Sequence, residues 1–148
     1  MSTGGEVPPY SWVYVPSPEI GLFNRVSFPS NYSPAVAPAG HSSILAEITC
    51  RRDDPVFSAP DQEIVSHVIG GLGKMGIPGD SGKIVYTAVE RSPYAYVVYD
   101  LGYLDRIAVV REFCEDRGMD LVGRFSRFEY LNMDGVIRSA MDFAERVT

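Results

Sequence analysis

Two arginines, three aromatic rings and an acidic helix entrance fall within twelve residues, GRFSRFEYLNMD, from Gly123 to Asp134. A guanidinium group binds phosphates and carboxylates through a fork of N–H donors. The start of an α-helix offers free N–H groups and a positive dipole end to the same anions. Asn132 or Asp134 can cap the helix that follows. Gly123, beside Arg124, leaves room for close backbone approach. The stretch therefore reads as a receptor for a diphosphate or a planar anionic ring. The plainer reading is a helix cap flanked by two solvated arginines, Arg124 and Arg127.

A second group of residues is SPYAYVVYDLGY, with Tyr94, Tyr96, Tyr99 and Tyr103. On a strand, alternation places Tyr94, Tyr96 and Val98 on one face and Val97 and Tyr99 on the other. Such rings either pack on a sheet or offer a hydroxyl to a phosphate or sugar. Both readings stand at this point.

Other candidates fail on context. GLGKMG, Gly71 to Gly76, matches the dinucleotide pattern G-x-G-x-x-G. That fingerprint needs a strand before it and a helix after it. Here a helical pattern precedes it and IPGD follows, so it reads as a helix end. His41 and His67 are the only histidines, and neither has a partner at metal-ligand spacing. No G-x-S-x-G elbow supports a hydrolytic triad.

The elements that must position these residues follow from periodicity. Residues 11–15, 24–28, 43–50, 83–90, 95–99 and 120–122 read as strands. Residues 61–72 read as a helix with Ile64, Val65, Val68, Ile69 and Leu72 on one face and Asp61 as its cap. A second helix spans 102–117, with Ile107, Val110, Phe113 and Cys114 inward and Gly118 as the stop. A third runs from about 134 to 147 with Val136, Ile137, Ala140, Phe143, Ala144 and Val147 as its buried stripe. The prolines of residues 1–40 leave that part to short strands and loops without helix. The order predicts one α+β domain over 1–148: a mainly antiparallel sheet with about three helices, the C-terminal one packed on the sheet.

Composition narrows the partners. With 13 basic and 19 acidic residues, the formal net charge is −6, which disfavours nucleic acid and anionic membranes as general partners. No apolar run reaches the length of a spanning helix, and the N-terminus lacks a signal-peptide pattern. Cys50 and Cys114 suggest neither a metal site nor a disulfide framework. A cytoplasmic setting is expected.

Taken together, SWVYVP, RVSFPSNYSP, SSILAEIT, AYVVYD and GRFSRFEYLNMDGVIRSAMDFAE resemble the C-terminal half of the flavin-dependent amine oxidase superfamily. The similarity is greatest to UDP-galactopyranose mutase-like and protoporphyrinogen oxidase-like proteins. Its most specific part is G-R-F-x-x-x-x-Y-x-N-M-D-x-x-I, Gly123 to Ile137. The resemblance implies that FAD is the cofactor, with Gly123, Arg124, Asn132, Met133 and Asp134 lining it. It implies that Tyr96, Arg124 and Tyr130 bind a nucleotide-sugar diphosphate, and that Arg124 is the catalytic residue.

The implied reaction interconverts UDP-galactopyranose and UDP-galactofuranose for surface polysaccharide synthesis, with reduced flavin as nucleophile and no net redox change. A complete dinucleotide-binding fold is absent from these residues, so 1–148 is expected to be the substrate-binding and flavin-capping part of a larger enzyme. Its expected partner is a dinucleotide-binding half or a second copy. The alternatives are a fragment of an FAD-dependent amine oxidase or desaturase, and a non-catalytic interaction or oligomerisation domain.

Overall fold

The prolines of the first forty residues keep the strands to two or three residues and shape the turns between them. The computed structural model describes residues 1–4, 6–78 and 83–148, in two units, Met1–Arg91 and Ser92–Thr148. In the first unit, β1 (Ser2–Thr3), β2 (Trp12–Tyr14), β3 (Arg25–Ser27), β4 (Ser42–Ser43), β5 (Leu45–Glu47) and β6 (Ile84–Tyr86) form two antiparallel three-stranded sheets. Their orders are β4-β1-β6 and β2-β3-β5.

In the second sheet Val13, Val26 and Ala46 lie in register and pack into or against the core. Trp12 and Tyr14 alternate to the open face. The run read as one strand over 43–50 is two strands in two sheets. Between them Ile44 is buried, and its backbone pairs with Met1 in both directions. Two proline-led 3₁₀ turns, Pro29–Asn31 and Pro34–Val36, also occur where only strands and loops are expected.

Helix α1 is a single turn, Pro55–Ser58, and α2 spans Asp61–Lys74. Ile64, Val68 and Leu72 are buried at four-residue spacing. Together with Val15, Phe23, Val26, Phe28, Ile44 and Ile77 they make the core of this unit. Asp61 does not cap α2. Pro60 takes the cap position without a side-chain bond. The Asp61 carboxylate instead receives Arg91 Nη1 at 2.6 Å, while Arg91 also donates to the carbonyls of Phe57 and Ala59.

The GLGKMG motif has a packing explanation. A Cβ on Gly71 would stand 2.6 Å from Phe23 Cε1 and 2.8 Å from the Ile20 carbonyl oxygen. Gly76, at φ +70°, stops the helix, and the Ile77 N–H returns to the Leu72 carbonyl in a Schellman-type closure.

In the second unit, α3 spans Tyr103–Glu115, α4 is the turn Arg124–Arg127, and α5 spans Met133–Val147. The architecture is α+β with three long helices, as the periodicity predicts. Among the described residues, 95–99 and 120–122 form no strand. Their apolar alternation meets no ladder partner, and a strand without paired backbone groups is not stable.

Gly118 stops α3 at φ +67°, and Met119 N–H returns to the Cys114 carbonyl. Of the inward residues expected on α3, only Ile107 is buried, and Val110 and Phe113 are half exposed. None of the α5 stripe is buried, with Ile137 61 % exposed. Amphipathicity shows which face can be covered. It does not supply the cover. No helix of the described residues is long and apolar enough to cross a membrane.

Candidate functional site

The segment from Tyr96 to Asp134 lies wholly within the second unit, and its geometry begins with Gly123. That residue has φ +92° and ψ 178°, a region essentially confined to glycine. A Cβ there would meet only Val136 Cγ1 at 3.9 Å, so the requirement is conformational and the space beside it is open. The chain then makes the single turn α4 and reverses at Phe128, the non-glycine residue with positive φ (55°) among those described. Glu129 N–H bonds the Arg124 carbonyl across this reversal. Ser126 Oγ donates back to the Val122 carbonyl at 2.6 Å, which steadies the start of the turn.

The reversal brings Tyr130 over Arg124. The Arg124 Cζ lies 4.6 Å from the Tyr130 ring centroid and 5.3 Å from that of Tyr96. The three residues singled out for substrate therefore form one cluster, a guanidinium between two rings. Tyr96 arrives on an irregular segment, and both rings keep half or more of their surface exposed.

Arg124 Nη1 donates to the Leu131 carbonyl at 3.3 Å. Its Nε is enclosed and has no partner among the described residues. No described carboxylate lies within ion-pair distance of it. A guanidinium without a carboxylate counter-ion can take an anion supplied from outside.

The two arginines of the loop thus part ways. Arg127 donates from Nε and Nη2 to Glu129 Oε1 at 3.2 and 3.1 Å. Arg111, from α3, reaches the same carboxylate oxygen at 3.0 Å and also bonds the Arg127 carbonyl. Sequence reasoning missed Arg111 and Glu129. The available signal is spacing: Arg111 stands four residues after Ile107, on the one face of α3 that is buried.

At the entrance of α5, Asn132 occupies the cap position with extended backbone, but its side chain makes no capping bond. Asp134 does not cap either. It lies in the first turn, where the dipole favours a carboxylate. The first backbone bond of α5 runs from Val136 N–H to the Asn132 carbonyl, so the N–H groups of Met133, Asp134 and Gly135 remain free of intrahelical partners. Met133 is 84 % exposed. Gly123, Arg124, Asn132, Met133 and Asp134 are thus consecutive parts of one turn-and-helix start, and Leu131 ties the two ends together.

The first unit has a separate cleft of about 750 Å³ between the 18–22 segment and one face of α2. It holds Glu63 and His67, 4.0 Å apart and mostly exposed, and Gly71 of the GLGKMG motif, but none of the residues that the resemblance assigns to substrate or cofactor. Among the described residues no group of three or more His, Cys, Asp or Glu side chains is placed to hold a metal.

No family model and no curated protein sequence matches the chain. Among solved structures, a crystal structure of reduced UDP-galactopyranose mutase is similar in fold, with a TM-score of 0.71 over 84 % of this chain and 22 % identity. The match takes in 27 % of that mutase chain, so this chain corresponds to little more than a quarter of its length. At that identity, the likeness is one of fold.

Proposed function

We propose that this chain is the substrate-binding and flavin-capping part of a UDP-galactopyranose mutase-like flavoprotein serving surface polysaccharide synthesis. The observation that carries the reading is Arg124: a guanidinium set between Tyr96 and Tyr130 with no described carboxylate in reach, where Arg111 and Arg127 both pair with Glu129. Such a group is matched to an anion of more than one oxygen, as in a nucleoside diphosphate.

In this reading Arg124 holds the diphosphate of a nucleotide sugar. The Tyr96 and Tyr130 rings keep the guanidinium from turning toward water and offer their hydroxyls at the rim. As a diphosphate becomes a leaving group its charge rises, and a fixed guanidinium stabilises it more than the bound ground state.

The residues also fit a flavin. A Cβ at Gly123 would meet only Val136 Cγ1 of α5, at 3.9 Å, so the backbone there is open to close approach, and α5 begins without a side-chain cap on its N–H groups. Gly123, Arg124, Asn132, Met133 and Asp134 would hold FAD, which supplies a nucleophile to the sugar when reduced. A second reading, an oligomerising module, is favoured by the exposed stripe of α5. In that case the chain would elute well above its 16.3 kDa without binding any flavin.

The test is a titration of the purified chain with oxidised and reduced FAD, read by absorbance and fluorescence. Saturable binding that Arg124→Ala abolishes supports the flavoprotein reading. Self-association with no flavin response at high micromolar FAD supports the module.

A further inference from the structure

We infer that Arg111 is a positioning residue for the Arg124 site, an inference that rests on the reading of that site as a diphosphate receptor. Tyr130 lies over Arg124 only because the chain reverses at Phe128, whose left-handed backbone (φ 55°, ψ 40°) is unfavourable for a residue with a side chain. Something must hold that conformation.

Arg111 holds both sides of it. Its Nη2 donates to the carbonyl of Arg127, the residue before Phe128, and to the carboxylate of Glu129, the residue after. Arg127 adds two further bonds to the same carboxylate oxygen. Position 111 can do this because it lies one helical turn beyond Ile107, the buried anchor of α3. The guanidinium therefore projects from a fixed base onto the loop. Its own Nε is enclosed without a partner among the described residues, so the side chain is committed to this reach and forgoes full satisfaction. Glu129, shared by Arg111 and Arg127, keeps Arg127 from competing for the anion and leaves Arg124 as the loop's unneutralised cation. Arg111 touches no substrate in this account. It fixes the turn on which Arg124 and Tyr130 are presented.

The experiment titrates the full chain with UDP and, separately, inorganic diphosphate, well below the melting temperature. Wild type is compared with Arg111→Ala, Arg124→Ala and Gly118→Ala. The last strains the stop of the same helix, at φ +67°, and leaves both the Ile107 anchor and the staple's donors in place. Positioning predicts that Arg111→Ala weakens UDP binding about tenfold, the scale of losing one or two pre-ordered side chains, while Gly118→Ala lowers the melting temperature and keeps wild-type affinity. If Arg111→Ala does not fold, Arg111→Lys replaces it. The ammonium keeps the charge but lacks the planar fork and its reach, so the same weakening is expected.

Wild-type affinity in the Arg111 variant, with binding lost in Arg124→Ala, overturns the positioning role and leaves the anion site standing. Equal weakening in the Arg111 and Gly118 variants also overturns it, because the effect would then be one of stability. Failure of the wild-type chain to bind either anion overturns the site reading and this inference together.

Discussion

The two units store their shapes in different ways. Among the described residues, 1–91 close on nine buried apolar side chains, from β3, α2 and the segments that connect the elements. Residues 92–148 bury one, Ile107, and expose Val98, Leu101, Leu104, Met133, Ile137 and Val147. What holds the second unit is largely polar and conformational. It rests on the Arg111–Glu129–Arg127 staple, the Asp100–Arg106 pair, the glycine stop at 118 and the glycine-only backbone at 123. A unit organised in this way can present a cation and leave room beside it, which a close-packed core cannot. The same economy leaves its apolar faces waiting for cover.

That contrast can be tested by substitution. Leu72→Ala, at a fully buried position of α2, should cost about 2–5 kcal/mol of stability in urea or thermal unfolding. Gly123→Ala should cost about 1–3 kcal/mol, because only the backbone conformation, not space, excludes the methyl group. A cost near zero there would mean that the turn can relax and is less fixed than described. Arg124→Ala should reduce UDP affinity at least tenfold, about 1.4 kcal/mol, with little change in melting temperature. Ile137→Ala, the smallest effect, should change stability by less than about 0.5 kcal/mol while its face remains open. A large loss at Ile137 would show that the α5 stripe is covered in solution. Amide exchange would sharpen the picture, with α2 exchanging far more slowly than α5.

Much of this was legible in the sequence. The helices over 61–74, 103–115 and 133–147 follow from apolar spacing and glycine stops, and the loop at 123–134 was recognisable from its cations and rings. The strands at 95–99 and 120–122 were not forthcoming, since alternation reports a face to be covered and says nothing of a partner to pair with. The buried stripe of α5 failed for the same reason. Asp61 was misread because a carboxylate at a helix start can cap or pair, and Arg91, thirty residues away, decided it. Arg124 and Arg127 look alike in sequence. Only Glu129, curled back by the turn at Phe128, shows which of them is neutralised.

The most direct measurement is the side-chain N–H spectrum of a ¹⁵N-arginine-labelled chain during titration with UDP. The Arg124 Nε–H resonance, assigned by its loss in Arg124→Ala, should shift and saturate while those of Arg127 and Arg111 move little. An Arg124 signal that stays still at saturating UDP, or a shift shared equally by Arg127, would contradict the assignment of Arg124 as the anion receptor.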